Sequence, residues 1–294
     1  MIQRAIDSVK AQTFQDWELV IVDDGSTDNT KALVATVNDA RCRYVYQENQ
    51  ERCVARNKGI SIATGLYIGF LDSDDFFLPD HLEGFRKEIE KRNYPIAMLV
   101  TGIFVEDKGK RIEHVLYDDK TGSPLRFAWR SVILPGAVCL HREILSKYKF
   151  NEKLYIWEDR HLWLRVLTEY PLIQIPQYST VLYEHRNRST NIFYKNLSIP
   201  ALKIYFKSMQ DLINSHGHFF RKEFTDKELQ KFVTEKYIIF LQVAVKNAQV
   251  KESFFLLQRV LRSNPAFILT PFFFKMLFLI PVNKLIRHQS DVVA

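Results

Sequence analysis

At 294 residues, with 47% hydrophobic and 26% charged residues, the chain is long enough for one large domain or a domain with an appendage, and its composition excludes a disordered protein. The net charge of +7 suits an anionic partner such as a diphosphate or a membrane surface, and no aromatic-plus-basic module of the kind that reads nucleic acid accompanies it. Cys42, Cys53 and Cys139 are an odd and widely spaced set, which argues for reduced thiols and against a disulfide framework or a zinc site. No apolar segment follows Arg4, so the opening residues do not read as a signal peptide.

Ile2, Ala5, Ile6 and Val9 recur at helical spacing, and residues 2–12 read as an amphipathic helix with which the chain begins. Residues 18–22 form a short β-branched run, expected as a buried strand. A polar turn over 23–30 then supplies capping residues for a helix over 30–37. Tyr44-Val45-Tyr46 reads as a strand, and residues 51–63 read as a helix carrying Arg52, Arg56, Asn57 and Lys58. The run Leu66-Tyr67-Ile68-Gly69-Phe70-Leu71 leads straight into Asp72, Asp74 and Asp75.

Such a run fits a buried parallel strand, and acids beyond its carboxyl end lie where open α/β sheets bind ligands. If the chain stays extended there, Asp72 and Asp74 point to one side. Adjacent carboxylates repel, so they need a cation, a proton or a basic partner; a divalent metal carrying a diphosphate would satisfy both. A solvated acidic turn ahead of a helix near Pro79 accounts for the same spacing. The alternation of strand and helix through residue 75 predicts an α/β fold with a mostly parallel, Rossmann-like sheet flanked by helices.

Further on, a helix over 79–91 precedes a long apolar strand over 96–105, a turn at 107–110, a strand over 112–117 and a polar loop over 118–124. Pro135-Gly136 marks a backbone kink expected to face the site. Trp157-Glu158-Asp159 opens a helix with Arg165 further along it, and short strands over 172–175 and 179–183 precede His185. From Ile199 the pattern becomes helical, which sets the expected units at 1–198 and 199–294. Residues 265–286 are apolar but interrupted by Pro271, Lys275 and Pro281. With Lys284 and Arg287 they are expected to lie on a membrane surface rather than span it, packing onto the domain being the alternative.

Four spaced blocks carry a resemblance. They are Ala5-Ile6-Asp7-Ser8-Val9 continuing through Gln12-Thr13-Phe14 to the stretch from Trp17 to Asp28; Glu51-Arg52 with Ala55-Arg56-Asn57-Lys58-Gly59-Ile60; Leu71-Asp72-Ser73-Asp74-Asp75; and Glu158-Asp159 with Leu162-Trp163-Leu164-Arg165. Together they resemble the inverting family 2 glycosyltransferases of GT-A fold over roughly the first 190 residues, and the likeness fades beyond about residue 200. Arg160-His161 stand where the family often has an acid. The family's first strand, which precedes the Ala-Ile-Asp-Ser-Val helix, has no counterpart here. Its place would be between the strands at 18–22 and 66–71, which must then close on each other, accept a substitute or stay exposed. A form extended upstream by roughly 10–15 residues is expected to be more stable and to bind nucleotide more tightly.

The resemblance implies transfer of a sugar from a nucleotide-diphosphate donor, a UDP-sugar, to a hydroxyl of a glycan or lipid-linked acceptor in bacterial surface polysaccharide synthesis, at the cytoplasmic face of the membrane. By resemblance Asp23 and Asp24 hold the uracil and ribose, Arg56 and Asn57 reach the nucleotide, and Asp72 and Ser73 sit near the ribose and donor sugar. Asp74 and His185 would ligate Mn²⁺ or Mg²⁺, with Asp75 beside them. Asp159 would be the catalytic base, kept ionised by its place at a helix start, while Gly136, Trp157 and Glu158 face the acceptor. Capping, a solvated helix face, an acidic first turn paired with Arg165 and core packing of Trp157 explain some of these residues without a ligand. A sugar-nucleotide nucleotidyltransferase and a non-catalytic sugar- or nucleotide-binding remnant are the competing readings; the former normally shows a glycine-rich phosphate loop that is missing from the sequence.

Overall fold

A computed structural model describes residues 1–114 and 122–275. The chain divides into two compact units, Met1–His185 and Arg186–Ala294.

In the first unit, α1 (Ile2–Lys10) turns Ala5, Ile6 and Val9 inward, as its apolar spacing dictates. Next come β1 (Leu19–Asp24), α2 (Thr30–Ala35), β2 (Cys42–Gln47) and α3 (Glu51–Ile62). β1 and β2 pair in parallel from Leu19 opposite Cys42 to Asp24 opposite Gln47, with α2 as the crossover that parallel pairing requires. Ile6, Ile21 and Val34 form the core of this layer, and burying each aliphatic side chain is worth about 1.5–3 kcal/mol.

The second sheet is built from β3 (Tyr67–Gly69), β4 (Phe76–Phe77), β5 (Met98–Asp107), β6 (Lys110–His114), β7 (Val138–His141) and β8 (Leu172–Tyr183). The helices between them are α4 (His81–Lys91), α5 (Pro124–Arg130), α6 (Arg142–Lys147) and α7 (Glu158–Val166). The strand order is β3-β7-β5-β8-β4, with β6 also on β5. Here the expected mostly parallel sheet is corrected: β5–β8 is parallel, but β3–β7, β5–β7, β4–β8 and β5–β6 are antiparallel. The reason is local. The tight turn at Lys108 and Gly109, both at positive φ, sends β6 straight back along β5, and β7 enters between β3 and β5 in the opposite sense. The two strands expected over 172–183 are one, with Pro176 exposed at a register irregularity where a missing N–H is tolerated.

Among the described residues β1 pairs with β2 alone and β3 with β7 alone, so the two do not close on each other. Their starts are nevertheless tied, because the Glu18 carboxylate accepts hydrogen bonds from the Thr64 and Gly65 N–H groups. Gly69 is exposed and Leu66 is 50% exposed, so the 66–71 run is not the buried strand its apolar content suggests. A strand paired on one side only presents a row of backbone N–H and C=O groups without ladder partners.

The second unit comprises α8 (Ser189–Lys195), α9 (Ile199–Ser215), α10 (Gly217–Glu223), α11 (Asp226–Lys246) and α12 (Val250–Ser263). Thr225 and Glu228 cap α11 reciprocally, and Phe206 of α9 stacks on Tyr237 of α11 at 3.7 Å. Among the described residues no helix is long and apolar enough to cross a membrane. Residues 276–286 of the segment expected at a membrane surface lie outside the described residues.

His81, at the start of α4, is 2% exposed, stacked on Phe77 at 3.8 Å and hydrogen-bonded through Nδ1 to Ser179 Oγ at 2.8 Å. Burial drives its pKa down to about 3. Between that value and the ordinary one near 6.5 the unfolded chain binds a proton that the folded chain refuses. Stability should therefore fall as pH drops through this window, by up to roughly 1.4 kcal/mol per pH unit. Urea unfolding at pH 7, 6 and 5 checks this, and the His81→Phe/Ser179→Ala double variant should show a shallower dependence.

Candidate active site

The acids after β3 do not continue as a strand. Asp75 N donates to Asp72 O at 3.1 Å, closing a turn, and this corrects the extended conformation from which a shared side for Asp72 and Asp74 was expected. The turn gathers them more tightly: Asp72, Asp74 and Asp75 each offer a carboxylate oxygen within 4.8 Å of the others. Ser73 is exposed on the same turn.

Each acid is also held from a different element. Arg56 Nη2 donates to Asp72 Oδ1 at 2.7 Å, His185 Nε2 lies 2.9 Å from Asp74 Oδ2, and Tyr183 N donates to Asp75 Oδ1 at 3.0 Å. A cluster of hard carboxylate oxygens, one of them beside an imidazole nitrogen, is a donor set that could hold a divalent cation.

Arg56 carries the second half of the site. Its Nη1 donates to Glu158 Oε1 at 3.0 Å, so one guanidinium spans the acidic turn and the first residue of α7. Arg52, one turn earlier on α3, places Nη1 3.7 Å from the same Glu158 oxygen. The sequence places Arg52 on this helix and in the second block without assigning it a role; its i, i+4 spacing to Arg56 is the signal that the two share a face. Burial works against the charge on Arg56, but Asp72 and Glu158 outweigh it and raise its pKa above the ordinary value.

Other side chains of α3 fix the segment leading to α7. Asn57 Nδ2 donates to Phe150 O and Glu152 Oε1, its Oδ1 accepts from Phe150 N, and Cys53 Sγ donates to Leu154 O at 3.4 Å. Both ends of the Asn57 amide are thus bonded to the segment from Phe150 to Glu152. Phe150 packs edge to face against both Phe70 and Trp163, with the Arg56 guanidinium 5.3 Å from the Phe150 ring centre.

Trp157, which caps α7, has φ 72°, a left-handed conformation costing a bulky residue of order 1–3 kcal/mol. Its indole is 6% exposed and packs edge-on to His161, the arrangement of a core side chain. Asp159 follows Glu158 and is half-buried. Burial and the neighbouring Glu158 charge raise its pKa to about 6. The helix dipole favours the charged carboxylate, and burial beside Glu158 opposes it, so the carboxyl stays largely ionised at pH 7 with a narrower margin. Gly136 is buried against β8, where a Cβ would come within 2.9 Å of Thr180 Cγ2, and its carbonyl accepts from Thr180 Oγ1 at 2.8 Å.

Asp23 and Asp24 end β1. Asp23 is 5% exposed and accepts from Tyr44 Oη at 2.6 Å and Ser26 N at 2.8 Å. Burial pushes its carboxyl up, and these hydrogen bonds outweigh it, leaving the pKa below its ordinary value. Asp24 Oδ1 accepts from Gln47 Nε2 at 2.7 Å and Gln50 N at 2.9 Å, joining β1 to the start of α3. Gly25, which follows Asp24, has φ 77° and a Cβ there would lie 2.7 Å from Asn49 N, so a side chain is barred twice over.

The first unit is an α/β layer that brings together an acidic turn, a bridging arginine and a second pair of carboxylates at a helix start. Residues 1–149 match the family described as glycosyl transferase family 2, and the chain belongs to that family. An uncharacterised glycosyltransferase of Rickettsia felis is 36% identical over 171 residues, covering 56% of this chain and 28% of the relative, so the match spans little more than a quarter of that protein. The putative colanic acid biosynthesis glycosyl transferase WcaA of Escherichia coli is 25% identical over 258 residues, 84% of each chain. Residues 1–349 of TarS from S. aureus, solved in complex with UDP-GlcNAc, share the fold at TM-score 0.60 and 13% identity, covering 90% of this chain and 87% of that one.

The Arg56–Glu158 pair is almost fully shielded, with side-chain exposures of 11% and 7%. Breaking a buried pair from one side leaves an uncompensated charge, so Arg56→Met should cost about 3 kcal/mol, the low end of the usual range because Arg52 remains nearby. The Arg56→Met/Glu158→Leu double variant should recover most of that loss in urea unfolding.

Proposed function

We propose that the first unit transfers a sugar with inversion from a nucleotide diphosphate, a UDP-sugar, to a hydroxyl of a glycan or lipid-linked acceptor. The observation that carries this reading is the Arg56 bridge: one side chain bonded to Asp72 on the acidic turn and to Glu158 beside Asp159 brings a cation-binding cluster and a candidate base to one site. S. aureus TarS, of the same fold, was solved with UDP-GlcNAc, which supports the donor class.

In the transfer, the acceptor hydroxyl gives its proton to the Asp159 carboxylate as its oxygen bonds to the anomeric carbon. The bond from that carbon to the diphosphate oxygen breaks, and the diphosphate leaves with the electron pair from the opposite face. A divalent cation held by Asp74, Asp75 and His185, with Asp72 adjacent, would offset the charge growing on the departing diphosphate. Arg56 balances Glu158 and so limits the repulsion that Asp159 feels. Asp23 and Asp24 hold the turn against which the base and ribose would lie. Synthesis of a surface polysaccharide at the inner face of the membrane is the setting this chemistry suits, with the tail beyond residue 265 as the element that would meet the lipid surface.

Screening nucleotide sugars for donor hydrolysis identifies the donor. Asp159→Asn should then retain UDP binding and lose transfer by about two orders of magnitude or more. Near-normal transfer by this variant would move the base elsewhere. With the Asp159 pKa at about 6, kcat/KM should rise with pH through that value and level off above it, because only the ionised carboxylate takes the proton. Chelation by EDTA should abolish transfer, and Mn²⁺ or Mg²⁺ should restore it.

A further inference from the structure

Arg4, Ser8 and Gln12 recur one helical turn apart, on one face of α1 and its continuation. All three hydrogen-bond the acidic turn or the chain that follows it. Arg4 Nη2 donates to Asp74 O at 3.0 Å, and Ser8 Oγ accepts from Phe77 N at 3.1 Å. Gln12, 1% exposed, donates through Nε2 to Leu78 O at 2.8 Å and accepts through Oε1 from Leu82 N at 2.9 Å. Ser8 and Gln12 fix the segment after the turn. Of the three, Arg4 is the one that reaches the turn itself.

The Arg4 guanidinium is also a plate between two rings. Its Cζ lies 4.4 Å from the Phe76 ring centre and 4.2 Å from that of Tyr183. Tyr183 in turn stacks on His185, with centres 6.1 Å apart and planes 26° apart. Tyr183 N bonds Asp75 Oδ1 and His185 Nε2 meets Asp74 Oδ2. Phe76, Arg4, Tyr183 and His185 therefore form one column joining β4, α1 and the end of β8, and its last members touch the acids. The described hydrogen bond of Arg4 goes to a backbone carbonyl, so it orients the turn without occupying a carboxylate oxygen.

We propose that Arg4 is a positioning residue for the divalent-cation site. Stacked between Phe76 and Tyr183 and bonded to the Asp74 carbonyl, it sets the spacing between the acidic turn and the His185 end of β8, so that their donor atoms converge on one ion. This rests on the reading that the cluster of Asp72, Asp74 and Asp75 binds the metal. A planar, delocalised cation is what the slot between two rings requires; the point charge of lysine does not reproduce it.

The test is Mn²⁺ affinity, read from the electron paramagnetic resonance of free Mn²⁺ titrated with protein, alongside thermal melts. Arg4→Lys and Arg4→Met should each weaken Mn²⁺ binding about tenfold or more, as loss of a group that orients ligands does. Ser8→Ala, which removes a hydrogen bond from the same helix face beyond the turn, should lower the melting temperature and leave Mn²⁺ affinity unchanged. Asp74→Asn should lose Mn²⁺ binding. If Asp74→Asn loses binding while both Arg4 variants stay within twofold of the parent protein, Arg4 has no positioning role and the metal reading stands. If Asp74→Asn binds Mn²⁺ normally, the metal reading falls and takes this proposal with it. Should Arg4→Met fail to fold, Tyr183→Leu removes one plate and leaves Arg4 in place, and unchanged Mn²⁺ affinity in that variant overturns the proposal.

Discussion

A guanidinium from α3 stands between two acids that are far apart in sequence, Asp72 and Glu158. Neither could be gathered into a half-buried site without a compensating cation, since like charges brought together away from water repel strongly. Arg56 meets that need in a geometry that lysine lacks, two N–H groups aimed in different directions from one rigid plane. Around it, Arg52 adds a more distant charge on Glu158, and Asn57 and Cys53 pin the chain at Phe150, Glu152 and Leu154. The helix thus works as a spine from which both the acidic turn and the start of α7 are hung.

Two of the positive-φ residues lie at the starts of the same two helices. Glu51 at the head of α3 and Trp157 ahead of α7 both have positive φ, at 75° and 72°. Glu51 is exposed, whereas Trp157 is buried. Strain on a buried tryptophan persists only where packing over-determines it, and here the residue after it is the Glu158 that Arg56 holds. The unusual conformation and the charge bridge are two views of one constraint on where Asp159 sits.

The two sheets place these pieces without forming a continuous ladder. Glu18 ties the base of β1 to the base of β3, and side chains of α1 and of Gln12 just beyond it grip the chain from Asp74 to Leu82. Parallel pairing confined to β1–β2 and β5–β8 still leaves the acids at the end of a strand, as the general rule for ligand sites in α/β sheets requires. The acids themselves lie in a turn, and their convergence comes from that turn, not from strand alternation.

Read alone, the sequence determined the identities and order of the elements that carry chemistry. Helical spacing located α1 and α3, β-branched and apolar runs located β1 and β5, and the grouping of Asp72, Asp74 and Asp75 marked the site, because these are local properties of side-chain periodicity and composition. The short elements β4, α5 and α6 were not legible, since pieces of 2, 7 and 6 residues carry too little periodicity to stand out. Only the tertiary structure decided the direction of β7, the joining of 172–183 into one strand, and the partners of Arg4 and Arg56. Strand direction depends on the path of the intervening chain, and a cation's partner depends on which acceptor or ring folding brings against it, neither of which is written in any local stretch. The same holds for Asp159, whose raised pKa arises from burial beside Glu158 and not from its helix position.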